Sequence, residues 1–119
     1  MRLLMGLLAA TILSGCAAPQ AYQWGGYESL LYATYKDPSK AEVMRTKMEA
    51  HIAEMGKTKQ TIAPGLYAEL GTLYFQAGLA DKAVEMYTLE RDTWPESKGL
   101  MTAMIKNIER RKTGETVKQ

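Results

Sequence analysis

The sequence predicts an all-α protein, a short stack of antiparallel helical hairpins. Three observations carry this reading. Apolar residues recur at steps of three and four along several stretches after residue 26, and no stretch shows the sustained alternation of a half-buried strand. Glycine and proline separate those stretches, at Pro38, Gly56, Pro64, Gly78, Pro95 and Gly114, where helices stop or start. Within 64–97, small and aromatic residues have the spacing that two closely packed helices need.

Gly25-Gly26 breaks the chain ahead of the first helix, in which Tyr27, Leu30, Leu31 and Tyr35 recur at helical spacing. Asp37-Pro38 ends it, because the residue before a proline disfavours helical backbone. Pro38 or Ser39 opens a second helix, since proline suits a first turn, and its apolar stripe is Ala41, Met44, Met48, Ile52 and Met55. Gly56 is the expected C-cap, and Lys57 to Ala63 reads as a polar connection. A third helix is expected from Pro64 to Ala77, stopping at Gly78, and a fourth from Asp81 to Thr93, stopped by Trp94-Pro95. The fifth, Glu96 to Lys112, carries Leu100, Met104, Ile105 and Ile108 on one face and ends at Gly114.

The third and fourth helices resemble the tetratricopeptide repeat, a helix–turn–helix of about 34 residues with fixed small and large positions. Laid over Pro64 to Ser97, Tyr67 takes the first aromatic position, Leu70-Gly71 the Leu-Gly pair and Tyr74 the second aromatic position. Ala83 takes the small position of the second helix, Tyr87 its aromatic position and Pro95 the closing proline. The packing reason is direct: Gly71 and Ala83 let the helices approach, and the three tyrosines fill the space around that contact. Glu90 stands where a small residue is usual, which predicts an imperfect stack at that point. One such unit cannot bury its own apolar face, so the first helix pair is expected to act as a degenerate neighbour and the fifth helix as a cap. These repeats serve many roles, so the resemblance does not define a function.

The N-terminus defines a location. Arg2 precedes an apolar run from Leu3 to Leu13, too short to span a bilayer and suited to an export signal. It closes on Leu13-Ser14-Gly15-Cys16, which matches the lipobox of bacterial lipoproteins. That resemblance implies a diacylglycerol thioether on the Cys16 sulfur, cleavage before Cys16 and acylation of the freed amine. A plain secretory signal with a coincidental cysteine is the alternative. Ala17 follows the cysteine where, in double-membraned bacteria, an aspartate retains a lipoprotein in the inner membrane. The class therefore implies the periplasmic face of the outer membrane. The expected organisation is a signal peptide at 1–15, a lipidated tether at 16–24, a helical domain at 25–113 and a frayed tail at 114–119.

Composition restricts the chemistry. The formal charge is +2, Arg2 leaves with the signal, and a nearly neutral domain has no electrostatic footprint for nucleic acid. The basic C-terminal end, including Lys106, Arg110, Arg111 and Lys112, reads as a solvated helix terminus. With a single cysteine there is no disulfide framework, and with a single histidine, His51, no zinc ligand set. His51 has no nucleophile-elbow pattern to pair with, and no glycine-rich phosphate loop occurs. Met44, Met48, Met55, Met86, Met101 and Met104 read as gap-fillers of a core rather than soft metal ligands. No catalytic residue, metal site, cofactor or small-molecule substrate is expected beyond the acyl lipid on Cys16. Tyr22, Trp24, Tyr27, Tyr32 and Tyr35 form an aromatic cluster just after the lipidation site, suited to the membrane interface or to protein contacts.

With the lipobox, the segment Tyr22-Gln23-Trp24-Gly25-Gly26-Tyr27-Glu28 and the helical repeat, the chain resembles a family of small bacterial lipoproteins carrying a domain of unknown function. Members of that family often sit beside a lipoprotein resembling the curli-secretion pore protein. The resemblance implies a shared cell-envelope assembly. The expected role is a non-catalytic, lipid-anchored adaptor or assembly factor whose partners are the membrane and another envelope lipoprotein. A self-associating structural subunit is the alternative, and an enzyme acting on the cell wall or on lipid is the remaining class.

Overall fold

The computed structural model describes residues 21–114. Among them are five α-helices and two short 3-10 turns, and no strand. The helices are α1 (Tyr27–Lys36), α2 (Ala41–Lys57), α3 (Leu66–Gln76), α4 (Ala80–Thr93) and α5 (Lys98–Lys112), with the turns at Pro38–Lys40 and Pro95–Ser97. The fold is all-α, and each helix packs mainly on its neighbours in sequence, so α1 and α5 form the two ends of the stack.

The core runs through α2 to α5. Met44, Met48 and Met55 of α2, Leu66, Leu70, Leu73 and Tyr74 of α3, Ala83 and Tyr87 of α4, and Met101, Ile105 and Ile108 of α5 are all buried. Four of the six methionines among the described residues are therefore core side chains, and Met86 and Met104 pack half-buried against them. Unbranched thioether side chains adapt to the irregular spaces between non-ideal helix pairs.

The closest helix pair is α3 with α4. A Cβ on Gly71 would lie 2.7 Å from the Tyr87 ring and 3.3 Å from the Ala83 carbonyl oxygen, so the contact requires glycine. The Tyr87 hydroxyl, at the end of a buried ring, lies 3.0 Å from Thr72 Oγ1 on α3. Gly78, with φ of 78°, ends α3 in left-handed backbone. There Gly78 N–H donates to the Phe75 carbonyl and Leu79 N–H to that of Tyr74, satisfying the last carbonyls of the helix.

Helix boundaries depart from the sequence reading at four places. Gly56 does not cap α2. The helix runs through Lys57, and the left-handed residue is Lys59, with φ of 53°. Lys59 N–H donates to Gly56 O at 3.3 Å and Gln60 N–H to Met55 O at 3.0 Å, so the backbone closes the same type of cap three residues later. The start of α3 shifts from Pro64 to Leu66 because Gly65 adopts φ of 91°, outside helical backbone. Each proline turn, Pro38–Lys40 and Pro95–Ser97, takes the tighter 3-10 form before its helix begins at Ala41 and Lys98. At Asp37 the carboxylate accepts from the Ser39 backbone N–H at 3.1 Å and from Ser39 Oγ at 2.6 Å, which holds its pKa below the usual carboxylate value.

Candidate functional site

Leu13, Ser14, Gly15 and Cys16 lie outside the described residues. The structure does describe where the chain enters the folded domain. Three contacts dock the residues ahead of α1. The Tyr22 ring meets Trp94 edge-on, with centroids 5.4 Å apart. His51 Nε2 donates to the Gln23 carbonyl at 2.9 Å. Trp24 lies beside Tyr27, with centroids 6.5 Å apart, and its carbonyl accepts the Tyr27 N–H at 3.0 Å. Gly25 completes the arrangement: φ is 60°, and a Cβ there would fall 2.5 Å from His51 Cγ. His51 thus uses its Nε2 to hold the N-terminal segment on α2. The end of the expected 16–24 tether, Tyr22 to Trp24, packs against the domain.

α1 has two dissimilar faces. Tyr27, Leu30 and Thr34 turn inward, half-buried, and Thr34 Oγ1 lies 3.4 Å from Met44 Sδ. Glu28, Leu31, Tyr32 and Tyr35, at positions i, i+3, i+4 and i+7, form an outward stripe. Leu31 is 41% exposed, Tyr32 61% and Tyr35 85%, with Lys36 Nζ lying 5.2 Å from the Tyr32 ring centroid. At the other end of the stack, α5 exposes Leu100, Ala103, Lys106 and Arg110.

The residues expected to pack the repeat lie as follows. Leu70, Gly71, Tyr74, Ala83 and Tyr87 are buried between helices, Tyr67 is half-buried on α3, and Pro95 opens an exposed turn. Glu90, where an imperfect stack is expected, is held by hydrogen bonds. Its side chain is buried, and Oε1 accepts from Gly65 N–H at 2.8 Å and from Ser97 Oγ at 3.0 Å. One carboxylate on α4 therefore ties the residue before α3 to the residue before α5. Negative charge at helix starts is favourable in addition to those hydrogen bonds. Glu90 Oε2 and Trp94 Nε1 are buried without a hydrogen-bond partner among the described residues. No sequence pattern marks this role; the one signal was a charged residue at a position that packing makes small.

Electrostatics around the core follow burial. Burial raises the Glu69 carboxyl above its ordinary value. The Tyr27 hydroxyl is raised by burial and then by the Glu69 charge, and Tyr67 by burial and then by Glu90. Tyr74 is pushed up to about 12, first by burial and then by its hydrogen bond to Glu49, with the Arg45 charge opposing. Arg45 and Lys82 both lie over the Tyr74 ring, at 6.0 Å and 5.2 Å. The three tyrosine shifts hold those side chains neutral, as packing and hydrogen-bonding groups. Among the described residues no three His, Cys, Asp or Glu side chains come together to hold a metal ion, and no helix is long and apolar enough to cross a membrane.

The fold and its surfaces define a small helical-hairpin protein with a docked N-terminal entry segment. A family model for a domain of unknown function, DUF4810, matches residues 21–104, and the chain belongs to that family. The match begins at the docked segment and runs through the first half of α5. No curated protein and no solved structure matches the chain.

Proposed function

We propose that this protein is an outer-membrane-anchored periplasmic lipoprotein, a non-catalytic adaptor or assembly factor in a cell-envelope complex. The observation that carries the reading is the box Leu13-Ser14-Gly15-Cys16 directly ahead of a helical stack whose entry segment is docked. Acylation of Cys16 confines the domain to the membrane surface, which raises its effective concentration toward another membrane-held protein. Ala17 after the cysteine favours the outer membrane. We read α3–α4 as a tetratricopeptide-type unit, with α1–α2 as its neighbour and α5 as the cap. The partner surface on this reading is the α5 end, where Leu100, 65% exposed, stands among Ala103, Lys106 and Arg110. The family resemblance supports a partner of the same envelope system, another small lipoprotein.

Cys16→Ala is expected to move the protein from the outer-membrane fraction to the soluble periplasm with its helical circular dichroism unchanged. A variant that still pellets with outer membranes after a high-salt wash overturns lipid anchoring. A photo-crosslinker at Leu100 is expected to capture an envelope lipoprotein in cells. The second reading, a self-associating subunit, is favoured by the apolar side chains exposed at both ends of the stack, Leu31 and Leu100. Light scattering on the soluble domain separates the two, because a monomer mass at every concentration argues against self-assembly.

A further inference from the structure

We propose that the outward stripe of α1, carrying Leu31, Tyr32 and Tyr35, lies in the headgroup layer of the membrane that holds the acyl anchor. The inference rests on lipidation at Cys16 and goes beyond it by assigning a face and an orientation. Its first support is the docked segment. Because Tyr22 packs on Trp94 and Gln23 on His51, at most residues 17–21 separate Cys16 from the docked segment. Six Cα steps of extended chain reach only about 20 Å, less than the depth of a small domain plus its headgroup contacts. The domain therefore stays against the bilayer, near the point where Tyr22 meets Trp94 at the α4–α5 junction. α1 starts at Tyr27, five residues after Tyr22, which keeps its exposed face within reach of that surface.

The second support is the chemistry of the stripe. Of the large apolar side chains left exposed, Leu31, Tyr32 and Tyr35 are gathered on this helix, whereas Val43, Leu79, Leu89 and Leu100 are spread over the rest of the chain. Tyrosine and tryptophan concentrate at bilayer interfaces because an apolar ring and a polar tip suit the boundary between hydrocarbon and water. The Lys36 ammonium beside the Tyr32 ring supplies a cation for phosphate groups. Glu28 in the same stripe keeps the helix at headgroup depth rather than within the hydrocarbon. α1 is about 15 Å long, so a helix lying flat brings the stripe from Glu28 to Tyr35 to one depth.

The test uses full-length protein lipidated in cells, purified in detergent and reconstituted into vesicles of phosphatidylethanolamine and phosphatidylglycerol. Thioether formation leaves no free thiol on Cys16, so one introduced cysteine takes a single spin label. Labels are placed by Glu28→Cys, Leu31→Cys and Tyr35→Cys on the stripe, and by Glu54→Cys on α2 and Leu100→Cys on α5 as references. The expected result is a several-fold fall in collisions with a water-soluble nickel complex at 28, 31 and 35, with collisions with oxygen retained, and no such fall at 54 or 100. Equal nickel access at all five positions, in protein that floats with the vesicles, overturns the inference and leaves the anchor standing. Protein that fails to float overturns both. Shielding at 28, 31 and 35 that grows with protein concentration in the absence of vesicles assigns the stripe to a second copy and likewise overturns the membrane contact.

Discussion

Between α3 and α4 the backbones close on one another through Gly71 and Ala83, whereas α1 meets α2 without a single fully buried residue among its ten. The first contact is a core in the ordinary sense, with Tyr87 1% exposed and bonded at its hydroxyl. The second is a half-buried seam held by Tyr27, Leu30 and a threonine-to-thioether contact, with an entry segment pinned across its end. The contrast separates two tasks. The α2–α5 part holds the core, and the α1 part rests on that support with one face left exposed. A helix of α1's length is marginal in isolation, so its order comes from the few contacts it makes.

The sharpest way to break this division is Tyr87→Ala. Removing a buried aromatic that fills the Gly71 contact is expected to cost about 3–5 kcal/mol in denaturant unfolding, and loss of only a few tenths there would erase the difference between the two parts. Next comes Glu90→Ala. The tetratricopeptide pattern predicts that a small residue improves the packing. The structure predicts a loss of about 2 kcal/mol, because the Gly65 N–H and Ser97 hydroxyl lose their acceptor. Gly25→Ala should act on the other part alone. Positive φ costs about 1–2 kcal/mol for an L-residue, and the added methyl meets the His51 ring. Amide exchange in α1 and the entry segment should accelerate while α3 and α4 stay protected. Equal acceleration throughout would mean that the two parts are not separable.

The smallest expected effect concerns pH. Burial raises the folded Glu69 carboxyl above its ordinary value of 4.5, so the folded state binds the proton more tightly than the unfolded chain. The stability contributed by that proton is full below 4.5 and declines as pH rises through the folded value. Glu69→Gln should remove this decline and stabilise the protein at neutral pH, by less than about 1 kcal/mol because the group is half-exposed and screened. Thermal melts at pH 4 and pH 7 for both proteins measure the sign.

The same division governs what could be read from the chain. The α3–α4 hairpin was legible because close approach imposes small residues at fixed places, and Gly71, Ala83 and the tyrosines around them state that constraint directly. Element types were legible from apolar steps of three and four, and Gly78 marked a true helix end. Boundaries slipped where backbone conformation was set by something other than the marker residue. Lys59 took the left-handed position that Gly56 was expected to occupy, and Gly65 delayed the helix that Pro64 suggested. Glu90 was legible only as an anomaly, since its partners are 25 residues before it and 7 after, and no local pattern joins them. The docking of Gln23 on His51, across 28 residues, was hidden for the same reason.

Glu90 also bears on how the molecule comes apart. Because one side chain latches the beginnings of two other helices, α4 cannot loosen without releasing both, and neither can fray inward without first leaving that carboxylate. Helices α3 to α5 are thereby linked through one side chain and are expected to open together, after α1, which has no fully buried residue.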